Sequence, residues 1–182
     1  MRERRRLVVY AVLAALSVLV HGGNHVLRGT AHDLLWICNV APVLLAIGCA
    51  IRDATLVAIS TLWLAYGTPM WLLDLATGAG MIPTSVLPHV LCPIVGVLAV
   101  RELGVPARAW LRATGALVAL MLVARVATPP APNVNLVHAV WKGWEDWFPR
   151  HDVYLLVGLA TSALTFFAVE RALRLVARPA LA

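Results

Sequence analysis

Six apolar runs, each close to the length of a bilayer crossing, constrain this chain more than any other feature. They cover about Leu7–Leu27, Leu34–Ile51, Ala54–Leu73, Ser85–Val100, Ala109–Ala127 and Val153–Leu175. A helix needs roughly 20 apolar residues to cross the hydrocarbon core. The 182 residues are 61% hydrophobic and 13% charged, with a mean hydropathy of +0.83. A water-soluble domain of this size carries about twice that charge. The chain therefore reads as all-α: one polytopic membrane domain over residues 1–182, with six transmembrane helices. Only Arg52-Asp53 separates the second run from the third, so these two form a tight hairpin.

The cations orient the chain. With the N-terminus inside, Arg2, Arg4, Arg5, Arg6, Arg52, Arg101, Arg108, Arg112, Arg171, Arg174 and Arg178 face the cytoplasm. Arg28, Arg125, Lys142 and Arg150 fall on the outer side. That bias predicts an N-in, C-in topology and a multi-pass protein of a bacterial inner membrane. The basic balance thus reports orientation, not nucleic acid, since no basic patch is interleaved with exposed aromatics. "MRERRR" before an apolar run resembles a signal-peptide start, but "VHGGNHVLRG" lacks a small-x-small cleavage site, so the first span is read as retained. Cys38, Cys49 and Cys92 all lie inside spans, and an odd count at that depth argues against a disulfide framework. The outer loop, residues 128–152, is rich in tryptophan. Trp141, Trp144, Trp147 and Phe148 are expected to lie on the outer membrane surface, with cofactor or substrate contact as the alternative.

Polar residues inside a membrane are costly and mark sites. Here they gather toward the outer leaflet. His21, Asn24, His25 and Arg28 share one helix face. His32, Asp33, Cys38 and Asn39 open the second span, Asp74 and Thr77 close the third, and His89 opens the fourth. Arg125 ends the fifth, and Asn133, Asn135, His138 and His151 follow in the outer loop. Two prolines sharpen the pattern. Proline has no N–H, so Pro42 leaves the carbonyl of Cys38 without its helical partner, and Pro93 does the same for His89. At 1.5 Å per residue, Cys38 and His89 both lie roughly 7 Å below the outer boundary.

A thiol needs a neighbouring base or cation to act as a nucleophile. Cys38 with His89 as base is the expected catalytic pair. Asp74 or Asn135 would orient His89, while Asn39 or Arg125 would stabilise an oxyanion or hold a phosphate; His138 is a further supporting residue in the outer loop. The chemistry would be acyl transfer from a membrane lipid through a thioester, with no cofactor. A metal site is the alternative: His21 and His25 stand at i, i+4, a ligand spacing on a helix, and His89 would join them around zinc, copper or haem. A non-enzymatic membrane subunit with a partner protein, or a receptor, is the third reading. Transport is disfavoured because the chain shows no repeat and the polar residues stop halfway across.

The order of these features resembles a bacterial integral-membrane family. That family is related to an animal Cys-dependent phosphatidylethanolamine acyl-transfer protein and, more distantly, to androgen-induced hydrolases of fatty-acid esters. The matching stretches are Cys38 in "WICN", Trp63, Tyr66 and Gly67 in "WLAYG", "LATGAGMIP" followed by His89, and "PNVNL" followed by "WFP". They span about residues 33–170. The resemblance implies a helical membrane enzyme with Cys38 as nucleophile and His89 as its partner. One departure stands out: members carry a histidine two residues before the cysteine, where this chain has Trp36.

Overall fold

A computed structural model describes residues 2–78 and 80–177, and Arg178 lies outside the described residues. The chain is a bundle of six helices, with no strand among the described residues. Five helices are long and apolar enough to cross a membrane: α1 (Glu3–Leu27), α3 (Ala54–Ala76), α4 (Pro83–Leu103), α5 (Ala109–Ala127) and α6 (His151–Val176). α2 (Ile37–Ile51) is shorter. This is the build of a multi-pass membrane protein. Apolar side chains such as Leu19, Leu27, Val126 and Leu175 are 69–89% exposed.

The expected second span, Leu34–Ile51, does not run as one helix. Residues Ala31–Leu35 form a 3-10 turn, Trp36 is extended, and the α-helix begins at Ile37. Two other helices change gauge. α1 passes through a π-helical turn at Val18–Gly22, and α4 contains another at Leu87–Leu91. π-turns insert an extra residue, shift the side chains that follow, and recur at functional sites.

The α2–α3 hairpin is as tight as expected. Arg52 takes a left-handed conformation, and Asp53 caps α3 through bonds from the Thr55 and Leu56 amides. Gly48 lets the two helices meet, because a Cβ there would stand 2.9 Å from the Val57 backbone nitrogen. Gly96 does the same between α4 and α3, facing Thr61 Oγ1 at 2.7 Å. The core beneath is aliphatic, with Leu45, Val57, Leu62, Leu64, Val100 and Phe166 fully buried.

The bundle has two unlike ends. At one, Arg52 pairs with Glu3, Arg6 with Glu102, and Arg112 reaches Thr55. Glu170 of α6 accepts from the Trp110 amide at the start of α5, and Arg174 clasps Glu170 and the Pro106 carbonyl. This basic end holds the N-terminus of α1 and the α2–α3 and α4–α5 connections. The histidines lie at the other end.

Candidate functional site

His89 sits in the π-turn of α4, 5% exposed. Its Nδ1 lies 2.8 Å from the Ser85 carbonyl, four residues earlier. A carbonyl only accepts, so Nδ1 carries the ring proton and the neutral ring presents Nε2 as a lone pair. Trp71 of α3 stacks on the ring, with centroids 4.6 Å apart and planes within 12°. The carbonyl that Pro93 leaves open accepts the Thr68 hydroxyl at 3.1 Å. The opened helix is thus closed by its neighbour. Ser85 and Trp71 orient His89. The expected orienters, Asp74 and Asn135, make no bond to it.

Cys38 lies in the first turn of α2, against Gly67 of α3: a Cβ at Gly67 would be 3.4 Å from the Cys38 Cβ. Asn135, in the outer loop, builds the backbone around it. Its Oδ1 accepts from the Ile37 amide at 2.9 Å, and its Nδ2 donates to the Leu35 carbonyl at 2.7 Å. One side chain thereby satisfies both sides of the break at Trp36 and caps α2. The Asn39 and Val40 amides give to the Trp36 carbonyl. Asn39 Nδ2 donates to the Asp33 carbonyl, while its Oδ1 is buried without a hydrogen-bond partner. A buried acceptor left open is unusual in a native fold and suits a donor on a bound molecule.

Cys38, Asn39, His89, Asp74, Asn135, His21, His25 and Asp33 line one cavity of about 840 Å³. That size lies in the roughly 300–1,000 Å³ range of small-molecule sites. Beyond the polar residues it extends along α6, past Tyr154, Leu155, Gly158 and Ser162, and against Leu117 and Met121 of α5. It is polar at the histidine end and apolar along the helices, the shape of an amphiphile. Among the described residues no hydrogen bond joins the Cys38 thiol to His89. Both residues line the cavity.

Other expected residues go elsewhere. Arg125 donates to the Val137 carbonyl at 2.6 Å and to His138 Nδ1 at 3.2 Å, and neither Arg125 nor His138 lines the cavity. The expected oxyanion role for Arg125 is thus replaced by a structural one: it pins the outer loop to the end of α5, with Thr128 near the other His138 nitrogen. The tryptophan segment contributes to the cavity. Trp141, Trp144 and Phe148 line it, with Trp144 stacked on both, while Trp147 is 83% exposed.

His21 and His25 are both buried, and their Nε2 atoms lie 3.2 Å apart. His21 Nδ1 meets Thr84 Oγ1 at 2.8 Å. His25 Nδ1 meets Thr30 Oγ1 at 2.8 Å and Asp33 Oδ2 at 3.4 Å. Asp33 also accepts from Trp36 Nε1. Among the described residues no group of three His, Cys, Asp or Glu side chains is placed to hold a metal ion. Sequence reasoning missed Ser85, Trp71, Thr68 and Thr84. The only trace of Ser85 is its place four residues before His89.

The chain matches no family model, no curated protein and no solved structure.

Proposed function

We propose that this protein is a membrane-embedded acyl hydrolase or acyltransferase acting on an amphiphilic lipid ester, with Cys38 as nucleophile and His89 as general base. The observation that carries the reading is the cavity shared by the Cys38 thiol and a histidine whose Nε2 lone pair is left available by the Ser85 carbonyl. In this reading the ester carbonyl sits between Cys38 and His89, and the acyl chain lies along α6. His89 takes the thiol proton, and the thiolate forms the thioester. The Cys38 amide stands at the start of α2 against its own thiol sulfur, and would turn from the sulfur to the oxyanion. The thioester then passes its acyl group to water or to a second lipid.

The membrane setting completes the proposal. All six helices cross a bacterial inner membrane, with the basic end in the cytoplasm by the positive-inside rule and the cavity opening in the outer leaflet under the tryptophan segment. The family resemblance points the same way.

The test uses purified protein in lipid nanodiscs containing acyl-labelled phospholipid. Wild type is expected to take up label that hydroxylamine removes, and Cys38→Ala to take up none. Equal lipid turnover by wild type and Cys38→Ala would contradict the proposal.

A further inference from the structure

At the cavity wall, hydrogen bonds join Thr84, His21 and His25, and His25 Nδ1, bonded to Thr30 Oγ1 at 2.8 Å, stands 3.4 Å from Asp33 Oδ2 in ion-pair contact. Chemistry gives this chain a direction. Asp33 Oδ1 accepts from Trp36 Nε1, and Oδ2 lies 3.4 Å from His25 Nδ1, which favours a proton on that nitrogen. The Thr30 hydroxyl, which lies 3.4 Å from the His25 carbonyl oxygen as a donor, is then free to accept from the same Nδ1. His25 Nε2 must therefore accept from His21 Nε2–H, and His21 Nδ1 accepts from the Thr84 hydroxyl. The chain takes one further proton without moving a heavy atom. The Thr84 hydroxyl turns round, and the proton passes through His21 and across the 3.2 Å gap to His25, 3.4 Å from Asp33. The titratable groups facing the pair are Asp33, His89 from α4, and His32, whose Nε2 is 3.7 Å from Asp33 Oδ1. His21, His25 and Asp33 all line the cavity that holds Cys38.

We propose that Asp33, backed by His25, His21 and Thr84, is a second acid–base group of the cavity, separate from His89. The inference rests on the acyl-transfer reading. In acylation, His89 takes the Cys38 thiol proton, the sulfur–carbon bond forms, and the carbon–oxygen bond breaks. The departing oxygen receives its proton from the charged relay through Asp33. In hydrolysis of the thioester, water adds to the carbonyl and its proton returns to the relay through Asp33. The carbon–sulfur bond breaks, and the Cys38 thiolate recovers its proton from His89. Both groups end as they began, and the sum is ester plus water to acid plus alcohol. Asp33 is the group that meets the leaving oxygen. His25 and His21 are positioning and relay residues acting through it.

A general acid matters only where the leaving group needs a proton. The test compares acylation of the protein in nanodiscs by labelled phospholipid and by the p-nitrophenyl ester of the same fatty acid, whose phenolate leaves unassisted. His25→Gln is expected to slow thioester formation from phospholipid by about 10²-fold, the low end for general acid–base catalysis, and from the nitrophenyl ester by less than about 3-fold. Thr84→Val, which leaves Asp33, His25 and His21 in place, is expected to show the same split in smaller measure. Equal slowing with both esters in both variants would overturn the relay, as would a wild type labelled only by the nitrophenyl ester. A wild type labelled by neither ester would remove the acyl-transfer reading itself.

Discussion

The Thr68 hydroxyl of α3 donates to the His89 carbonyl of α4 at 3.1 Å, filling the acceptor that Pro93 leaves open. Proline interrupts the helix ladder, and a neighbouring helix closes the gap, as membrane helices require where no water is available. Thr68→Val removes this donor and leaves a buried carbonyl unpaired. It is expected to cost about 1–3 kcal/mol and to loosen His89 on Trp71. Thermal unfolding in nanodiscs measures the first effect, and the His89 imidazole resonance in NMR reports the second.

Asn135 makes two bonds across the break at Trp36, to the Leu35 carbonyl and the Ile37 amide. Asn135→Ala leaves both backbone groups without that partner. The account expects a loss of about 1–3 kcal/mol together with a fall in acylation, because the first turn of α2 carries Cys38. Asn135→Asp keeps one acceptor and is expected to lose less of both. Alkylation of Cys38 by a membrane-permeant maleimide, read by mass, follows the local change.

Gly96 stands where a Cβ would lie 2.7 Å from Thr61 Oγ1. Gly96→Ala is expected to push α4 from α3 and to destabilise the fold by about 1–3 kcal/mol, the usual cost of overpacking. The double variant Gly96→Ala/Thr61→Ala removes both Oγ1 and the methyl and is expected to recover part of that loss. No recovery would contradict a clash with the Thr61 side chain.

Glu170 is buried at the basic end, accepting from the Trp110 amide and from Arg174. Glu170→Ala uncaps α5 and leaves Arg174 without its carboxylate. About 1.5–3 kcal/mol is expected, the range for a hydrogen bond to a charged group. Because Glu170 lies at the opposite end from the cavity, acylation per folded molecule is expected to be unchanged.

Much of the architecture was legible in the residue pattern. Apolar runs located the helices, Arg52-Asp53 marked the tight turn, and the clustering of His21, His25, Asp33, Cys38 and His89 toward one end foreshadowed a shared cavity. Local pattern could not show what distant partners decide. Leu34 and Leu35 are as apolar as the rest of their run, yet Asn135, 100 residues away from Leu35, holds them outside the helix. The π-turns at Val18–Gly22 and Leu87–Leu91 leave no periodicity of their own, because a single inserted residue only shifts the register. Arg125 and His138 looked like site residues because they share the polar end. Their bonds to Val137 and to each other assign them to the loop instead. Ser85 went unread because its contribution is a backbone carbonyl, which any residue supplies.

The central claim is that Cys38 carries the acyl group and His89 takes its proton. The most direct measurement is site-resolved mass spectrometry of protein incubated with labelled phospholipid in nanodiscs, comparing wild type with His89→Gln. The account predicts an acyl adduct on the Cys38 peptide of wild type, forming at least about 10²-fold more slowly in His89→Gln. An adduct on another residue, or one on Cys38 that forms equally fast without His89, would contradict it.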